Sequence, residues 1–362
     1  MSTTTMEHEQ RADAFAERMF ETTLGMMEGL TVAIGSRLGF YRSLADEGPA
    51  TSKELAARTD TAERYAREWL EQQTIAGVLE VDDATAEAAE RRYALPPPHA
   101  DVLVDRDSLR YMAPMPTAIT AAALQFPALI DAYKGGGGVS WNDFGDLIRQ
   151  AQADQNRPLF LHLLPDMLAG IDDIGERLRN GGRVADIGCG FGWSAIGLAR
   201  VFPEIAVDGY DLDTPSIEAA RVNASEAGVA DRVTFHDRDA GDPSLSGTYD
   251  LAIACECVHD MPDPVSVLAS MRRLVGDDGT VVVVDEGVAE DFGAVGDPIE
   301  RVMYGFSTLV CLPDGLASEG SVGTGTVMRP ATLEGYARQG GFNGIEILPI
   351  EHDVFRFYRL VG

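Results

Sequence analysis

The sequence has no run of 18 or more apolar residues, and its opening "MSTTTMEHEQ" has neither the basic nor the apolar region of a secretory signal. Those absences argue against a membrane-spanning helix and predict a soluble, cytoplasmic protein with no membrane partner. Cysteine is scarce: Cys189, Cys255, Cys257 and Cys311 form no CxxC pair. That spacing speaks against a disulfide framework and against a zinc site, so no metal is expected. Basic residues are few: 29 Lys and Arg stand against 58 Asp and Glu, a net charge of −29, and the only lysines are Lys53 and Lys134. Such a field repels phosphate backbones and anionic membranes and keeps the chain soluble.

At 362 residues the chain is long enough for two domains or for one large domain with an appendage. Residues 8–47 read as helical, because Phe15, Met19, Met26, Leu30, Ile34 and Leu38 recur at three- and four-residue steps. Glycines at 25, 29, 35 and 39 predict broken helices or close helix contacts. "TSKELAART" opens on a good N-cap, Thr51 or Ser52, with Glu54 placed for a capping box. "TAERYAREWLEQQTIAGVLEV" predicts a longer helix with Tyr65, Trp69 and Ile75 inward, stopped at Gly77, and "GVLEVDD" pairs naturally with "RRYAL". Together these make a winged helix. Its 61–77 stretch carries Arg64 and Arg67 against Glu63, Glu68 and Glu71, and 36–105 sums to −6. Because DNA affinity rests on neutralised phosphates, this balance favours a dimerisation module over a nucleic-acid reader.

After the prolines at 96–98, residues 106–178 read as mostly helical, interrupted by "KGGGGVSWNDFG", a flexible loop whose Trp141 and Phe144 are candidates to line a substrate pocket. From Gly181 strands and helices alternate: "GRVADIG", "AVDGYDLD", "RVTFHDRDA", "YDLAIACE" and "TVVVVDEG" are strands, and "GIEILPIEH" with "VFRFYRLV" makes a terminal antiparallel pair. The pattern predicts an α/β fold, a doubly wound, mainly parallel seven-stranded sheet behind a mostly helical winged-helix domain. The expected boundaries are 1–105, 106–178 and 179–362, with an insertion over 291–327 as a lid. In that insertion "IERVMYGFSTLVCL" reads as a helix, and Met303 and Phe306 are candidate substrate contacts on an apolar wall.

The glycine loop "DIGCGFGWS" lacks the Gly-Lys-Ser/Thr ending of a phosphate loop, and Trp193 stands where a dinucleotide fingerprint needs its third glycine. Asp186 precedes the turn, Asp211 ends the next strand where it can accept from two ribose hydroxyls, and Asp239 follows the third strand. There Asp239 can take an adenine amino group while the Ala240 amide faces a ring nitrogen. An acid-lined cleft suits an adenosine bearing positive charge, as in S-adenosylmethionine.

Four stretches in order, "VADIGCGFG", "GYDLD", "DRDA" and "YDLAIACECVHDMPDP", resemble the class I S-adenosylmethionine-dependent methyltransferases. The resemblance implies that Gly188, Gly190 and Gly192 let the backbone approach the methionine moiety, that Asp186 orients its amino group, and that Leu212 covers the adenine. Glu256 reads as a cofactor-side acid. "CVHDMPDP" is similar to the "HDW" loop of small-molecule O-methyltransferases that dimerise through a winged-helix domain, with Met261 in place of the tryptophan. By that resemblance His259 is the general base, its ring held by Asp260 or another acid, and the chain is a homodimer. The expected activity is methyl transfer to a partly hydrophobic small-molecule hydroxyl, leaving S-adenosylhomocysteine. The rival readings are a transcriptional regulator using the fold as a sensor, and methylation at nitrogen or carbon.

Overall fold

The computed structural model describes residues 3–362. They form two compact units, one ending at Thr120 and the other running from Ala121 to Gly362.

The first unit begins with α1 (Thr3–Arg37), followed by α2 (Phe40–Glu47), α3 (Ser52–Arg58) and α4 (Glu63–Ile75). Helix α1 is continuous, so the expectation that glycines break it fails for 25, 29 and 35. Gly35 instead serves close contact, since a Cβ there would collide with the Trp69 ring. Gly39, in the left-handed region at φ 71°, makes the turn into α2. Helix α3 starts with the expected capping box: the Glu54 amide donates to Thr51 Oγ1 at 3.2 Å, and the Thr51 amide to Glu54 Oε2 at 2.9 Å. Strands β1 (Glu80–Val81) and β2 (Tyr93–Ala94) pair antiparallel, which completes the winged helix.

Its core gathers Phe40, Tyr41, Leu44, Leu55, Trp69, Leu70, Leu79 and Tyr93. Two expected core residues are misplaced: Tyr65 is 80 % exposed and Ile75 is 89 % exposed. The buried face of α4 runs through Ala66, Trp69, Leu70 and Gln73, and Tyr65 lies about 100° around the helix from Ala66. Helices α5 (Pro97–Leu103) and α6 (Pro114–Leu124) follow.

The second unit continues with α7 (Phe126–Gly135), α8 (Trp141–His162), α9 (Leu164–Ala169) and α10 (Asp172–Arg179). Trp141 and Phe144 do not ride a flexible loop. Ser140 caps α8 by accepting from the Asp143 amide, so both aromatics sit in a capped first turn, just before a kink at Gly145 (φ 74°). Phe144 is buried there, while Trp141 is half-buried.

The sheet then forms from β3 (Arg183–Ile187), β4 (Ala206–Asp211), β5 (Val233–Asp237), β6 (Leu251–Cys255), β7 (Thr280–Glu286), β8 (Gly344–Ile347) and β9 (Phe355–Val361). Its order is β5-β4-β3-β6-β7-β9-β8, parallel except for β9, which runs antiparallel to both β7 and β8. Helices α11 (Trp193–Val201), α12 (Thr214–Glu226) and α13 (Pro264–Val275) are the crossovers. The strands are apolar on both faces. Val184, Ile253, Val282 and Val284 pack in one core cluster, and Ala185, Ile187, Ala252, Val281 and Val283 in the other. Burial of both faces is what a parallel sheet sandwiched by helices requires.

The insertion before the last helix holds α14 (Pro298–Phe306), a π-helical turn (Ser307–Cys311) and α15 (Leu312–Gly315). Helix α16 (Pro330–Gln339) follows it. No helix among the described residues is long and apolar enough to cross a membrane.

Candidate active site

The strand order reverses between β3 and β6, so their carboxyl ends open the crevice where doubly wound sheets bind ligands. The glycine loop leaves β3 on one side of it, and residues 256–260 leave β6 on the other.

Backbone geometry fixes the loop. Gly188, Gly190 and Gly192 all have positive φ, at 67°, 50° and 79°. A Cβ on Gly188 would meet Cys257 Sγ at 2.7 Å, and one on Gly192 would strike the Phe235 ring, so both glycines permit close packing. A Cβ on Gly190 meets nothing within 4 Å, which leaves the backbone approachable at the loop's centre. The Gly188 amide donates to the Tyr210 carbonyl at 2.8 Å, and the Gly190 amide donates to Asp211 Oδ2, also at 2.8 Å. Trp193 starts α11 with the Arg157 guanidinium 4.2 Å above its ring. The indole is thus spent on packing against α8.

Asp186 is fully buried. Ser194 Oγ donates to its Oδ2, while Oδ1 has no hydrogen-bond partner. Burial pushes this carboxyl up to about 7, against the lowering effect of the Ser194 and Ala195 donors. An orphaned, buried carboxylate oxygen at the end of β3 calls for a donor or cation from outside the chain. Asp211 also accepts from the Asp213 amide at 2.9 Å, and burial raises its carboxyl above the usual range. Leu212 is 66 % exposed, Asp239 is exposed with Oδ1 accepting from the Gly241 amide, and Ala240 is buried.

Across the crevice, Glu256 takes φ 52°, a strained conformation for a residue with a side chain. Gln152 Nε2 donates to its Oε2 at 3.3 Å, whereas Oε1 is buried without a partner. Burial, reinforced by the neighbouring Glu286, pushes Glu256 up to about 8.

His259 is 2 % exposed and ringed by acid. Its Nδ1 lies 3.0 Å from Asp285 Oδ1 and 3.2 Å from Glu286 Oε2, and its Nε2 lies 3.4 Å from Asp260 Oδ1. Burial alone lowers an imidazole's affinity for its proton, yet these three carboxylates outweigh it and hold His259 well above 6.5. The sequence leaves the ring-holding acid as Asp260 or another. The orienting hydrogen bond is to Asp285 at the end of β7, which the sheet order places opposite the β6 loop.

The insertion closes on this turn. Gly325 donates its amide to the His259 carbonyl and Val322 to that of Pro262, both at 3.1 Å. The Trp141 amide donates to Asp314 Oδ1 at 2.6 Å, and the Val139 amide to the Pro313 carbonyl at 2.9 Å. Thus the capped turn bearing Trp141 and Phe144 is bound to the same insertion that covers His259. Met303 is buried within α14, and Phe306 is half-buried. Cys311, read from sequence as outside any site, reaches His259 and Asp260 through the π-helical turn.

Comparison with known proteins finds likeness in two stretches of the chain. A family described as "Methyltransferase domain" matches residues 178–307, and one described as "Rv2258c-like winged HTH domain" matches residues 26–105. The 27-O-demethylrifamycin SV methyltransferase of Amycolatopsis mediterranei is 35 % identical over 123 residues, which are 34 % of this chain and 43 % of that protein. Methyltransferase GfsG of Streptomyces halstedii is 30 % identical over 156 residues, 40 % of this chain and 55 % of its own. The chain therefore spans about half the length of these curated relatives. Among solved structures, mitomycin 7-O-methyltransferase MmcR superposes with a TM-score of 0.70 at 20 % identity, covering 97 % of this chain and 99 % of that one. Human N-acetylserotonin methyltransferase, solved with S-adenosylmethionine, gives 0.71 at 17 % identity, covering 96 % and 98 %. By sequence, the chain carries a winged helix-turn-helix domain followed by a methyltransferase domain, and its fold is shared with these solved structures.

Proposed function

We propose that the chain transfers a methyl group from S-adenosylmethionine to a hydroxyl of a small, partly hydrophobic molecule, releasing S-adenosylhomocysteine. The observation that carries the reading is the pairing of an approachable glycine loop with the orphaned oxygen of Asp186 beneath it. Gly188, Gly190 and Gly192 would receive the methionine moiety and Asp186 its ammonium. Asp211 would receive the ribose, with Leu212, Asp239 and Ala240 at the adenine and Glu256 on the sulfonium side. The bound cofactor supplies an electrophilic methyl on a positive sulfur. His259, oriented through Nδ1 by Asp285 and Glu286, places Nε2 beside Asp260; because these acids favour the protonated ring, it would take the hydroxyl proton through its neutral fraction, with Asp260 as the carboxylate on that side, and Trp141, Phe144, Met303 and Phe306 wall the acceptor.

A pH effect follows from Asp186. With its carboxyl near 7 in the ligand-free chain, lowering the pH protonates it and removes the charge that an ammonium needs. Affinity for S-adenosylhomocysteine should therefore rise with pH between 5.5 and 7, by nearly tenfold per unit at the acid end, and level off above, the ligand's own amine staying charged throughout that window. Calorimetry over that window checks it, and the Asp186→Asn variant should give a flat profile. A flat wild-type profile would remove Asp186 from the cofactor's ammonium.

The N-terminal helix supports a homodimer. Residues 6–27 of α1 are exposed along their whole length, including Phe15 at 60 %, Phe20 at 71 % and Met27 at 61 %. A helix this apolar and this uncovered is stabilised by a partner surface rather than by its own propensity. Sedimentation should return a dimer, and Phe20→Asp with Met27→Asp a monomer; a wild-type monomer overturns the reading. Nucleic acid is not expected as a partner, because on α4 Arg67 is bridged to Glu63 at 2.7 Å and Arg64 to Glu68.

A further inference from the structure

We propose that His259, Asp260 and Cys311 together bind a divalent transition-metal ion of the zinc class, leaving one coordination position open. Their donor atoms, the imidazole nitrogen, a carboxylate oxygen and the sulfur, all lie within 4.8 Å of one another. Nε2 of His259 stands 3.4 Å from Asp260 Oδ1. That is long for an N–H···O bond, but it matches the separation of about 3.3 Å between two ligand atoms each about 2.0–2.1 Å from a tetrahedral ion. Asp260 Oδ1 is buried and has no hydrogen-bond partner.

The surroundings are those of a metal-binding histidine. Such a residue gives its other ring N–H to a carboxylate, which fixes the tautomer and aims the free nitrogen at the ion. Here Nδ1 meets both Asp285 and Glu286, which are 0 % and 5 % exposed. Cys311 arrives from the insertion at the end of a π-helical turn, an element that recurs at functional sites. The Thr326 hydroxyl rests against its sulfur.

The donor set selects the ion. One imidazole, one thiolate and one carboxylate suit zinc over magnesium or calcium, and three protein ligands leave the fourth position for an exchangeable oxygen. The ion displaces the thiol proton and takes the Nε2 lone pair, so ion and proton are alternative occupants of His259. An acceptor hydroxyl in the open position would be acidified by the ion. That last step rests on the methyl-transfer reading, while the ion site itself does not.

Cobalt(II) tests the site directly. Added to the chelator-treated full chain, it should bind one equivalent with the near-ultraviolet thiolate-to-cobalt band and the visible bands of a tetrahedral site, all abolished by equimolar zinc. Cys311→Ser should lose the ultraviolet band and bind zinc more than about 100-fold more weakly, beyond the loss of a supporting residue. Circular dichroism and S-adenosylhomocysteine binding of the variant should remain as in the parent. No stoichiometric binding, or a band that persists in Cys311→Ser, overturns the proposal. Neither result touches cofactor binding, so the methyl-transfer reading stands or falls separately.

Discussion

Replacing Asp211 by Ala is expected to weaken S-adenosylhomocysteine binding by about 100-fold or more, because hydrogen bonds to an ionised carboxylate contribute about 1.5–3 kcal/mol each and two are lost with the ribose. Asp211 has a second task. Its two oxygens take the amides of Gly190 and Asp213, so it ties the glycine loop to the end of β4. Alanine therefore removes both the ribose acceptor and the brace that keeps Gly190 in place. Asn should recover little, since its amide nitrogen would face the Gly190 amide donor or the ribose with only one oxygen left to accept. Titration calorimetry on both variants, with thermal melts to show that each is folded, measures the effect. An affinity within threefold of the parent would remove Asp211 from the cofactor site.

The same loop shows what the sequence could and could not disclose. Alternating apolar runs and helix caps place all seven strands, since the strands are hydrophobic on both faces and turn signals separate them. The Asp186, Asp211 and Asp239 positions were legible because each lies within two residues of a strand's carboxyl end. The partners of His259 were not. Asp285 and Glu286 end a strand that neighbours β6 only through the crossover of α13, and Cys311 meets His259 only because the insertion folds onto the His259 turn. Spacing along the chain carries no sign of such a meeting, since Cys311 stands 51 residues after Asp260 and belongs to no CxxC pair. Helix α4 fails for a different reason: an apolar residue such as Ile75 reads as core by type, whereas its angular position leaves it in solvent. The aromatics of α8 were misread because glycines before Ser140 suggest a loop, although Ser140 and Asp143 are themselves a helix start.

Substituting His259 by Gln should lower kcat/KM for methyl transfer to hydroxyl acceptors by about 10²–10⁴-fold, the range that a positioned acid–base group contributes. Binding of S-adenosylhomocysteine should change by less than threefold, because the residues proposed to hold it lie around the glycine loop. The split between turnover and affinity separates a catalytic role from a structural one. It must be read on folded protein. Removing the imidazole leaves Asp260, Asp285 and Glu286 facing one another while buried, and breaking a buried ion pair costs about 3–5 kcal/mol unless the acids take up protons. Gln retains an amide that can donate to Asp285, so it is a gentler change than Ala. Transfer of isotopic methyl from S-adenosylmethionine to a panel of phenols, alcohols and amines supplies the assay. Undiminished transfer to amines, whose neutral nitrogen already carries its lone pair and needs no base before attack, would assign the acceptor to nitrogen. Undiminished transfer to hydroxyls would leave His259 as packing for its acids, and the proton would then have to leave through a carboxylate on that side of the crevice, such as Asp260 or Glu256, each with a buried oxygen that has no hydrogen-bond partner.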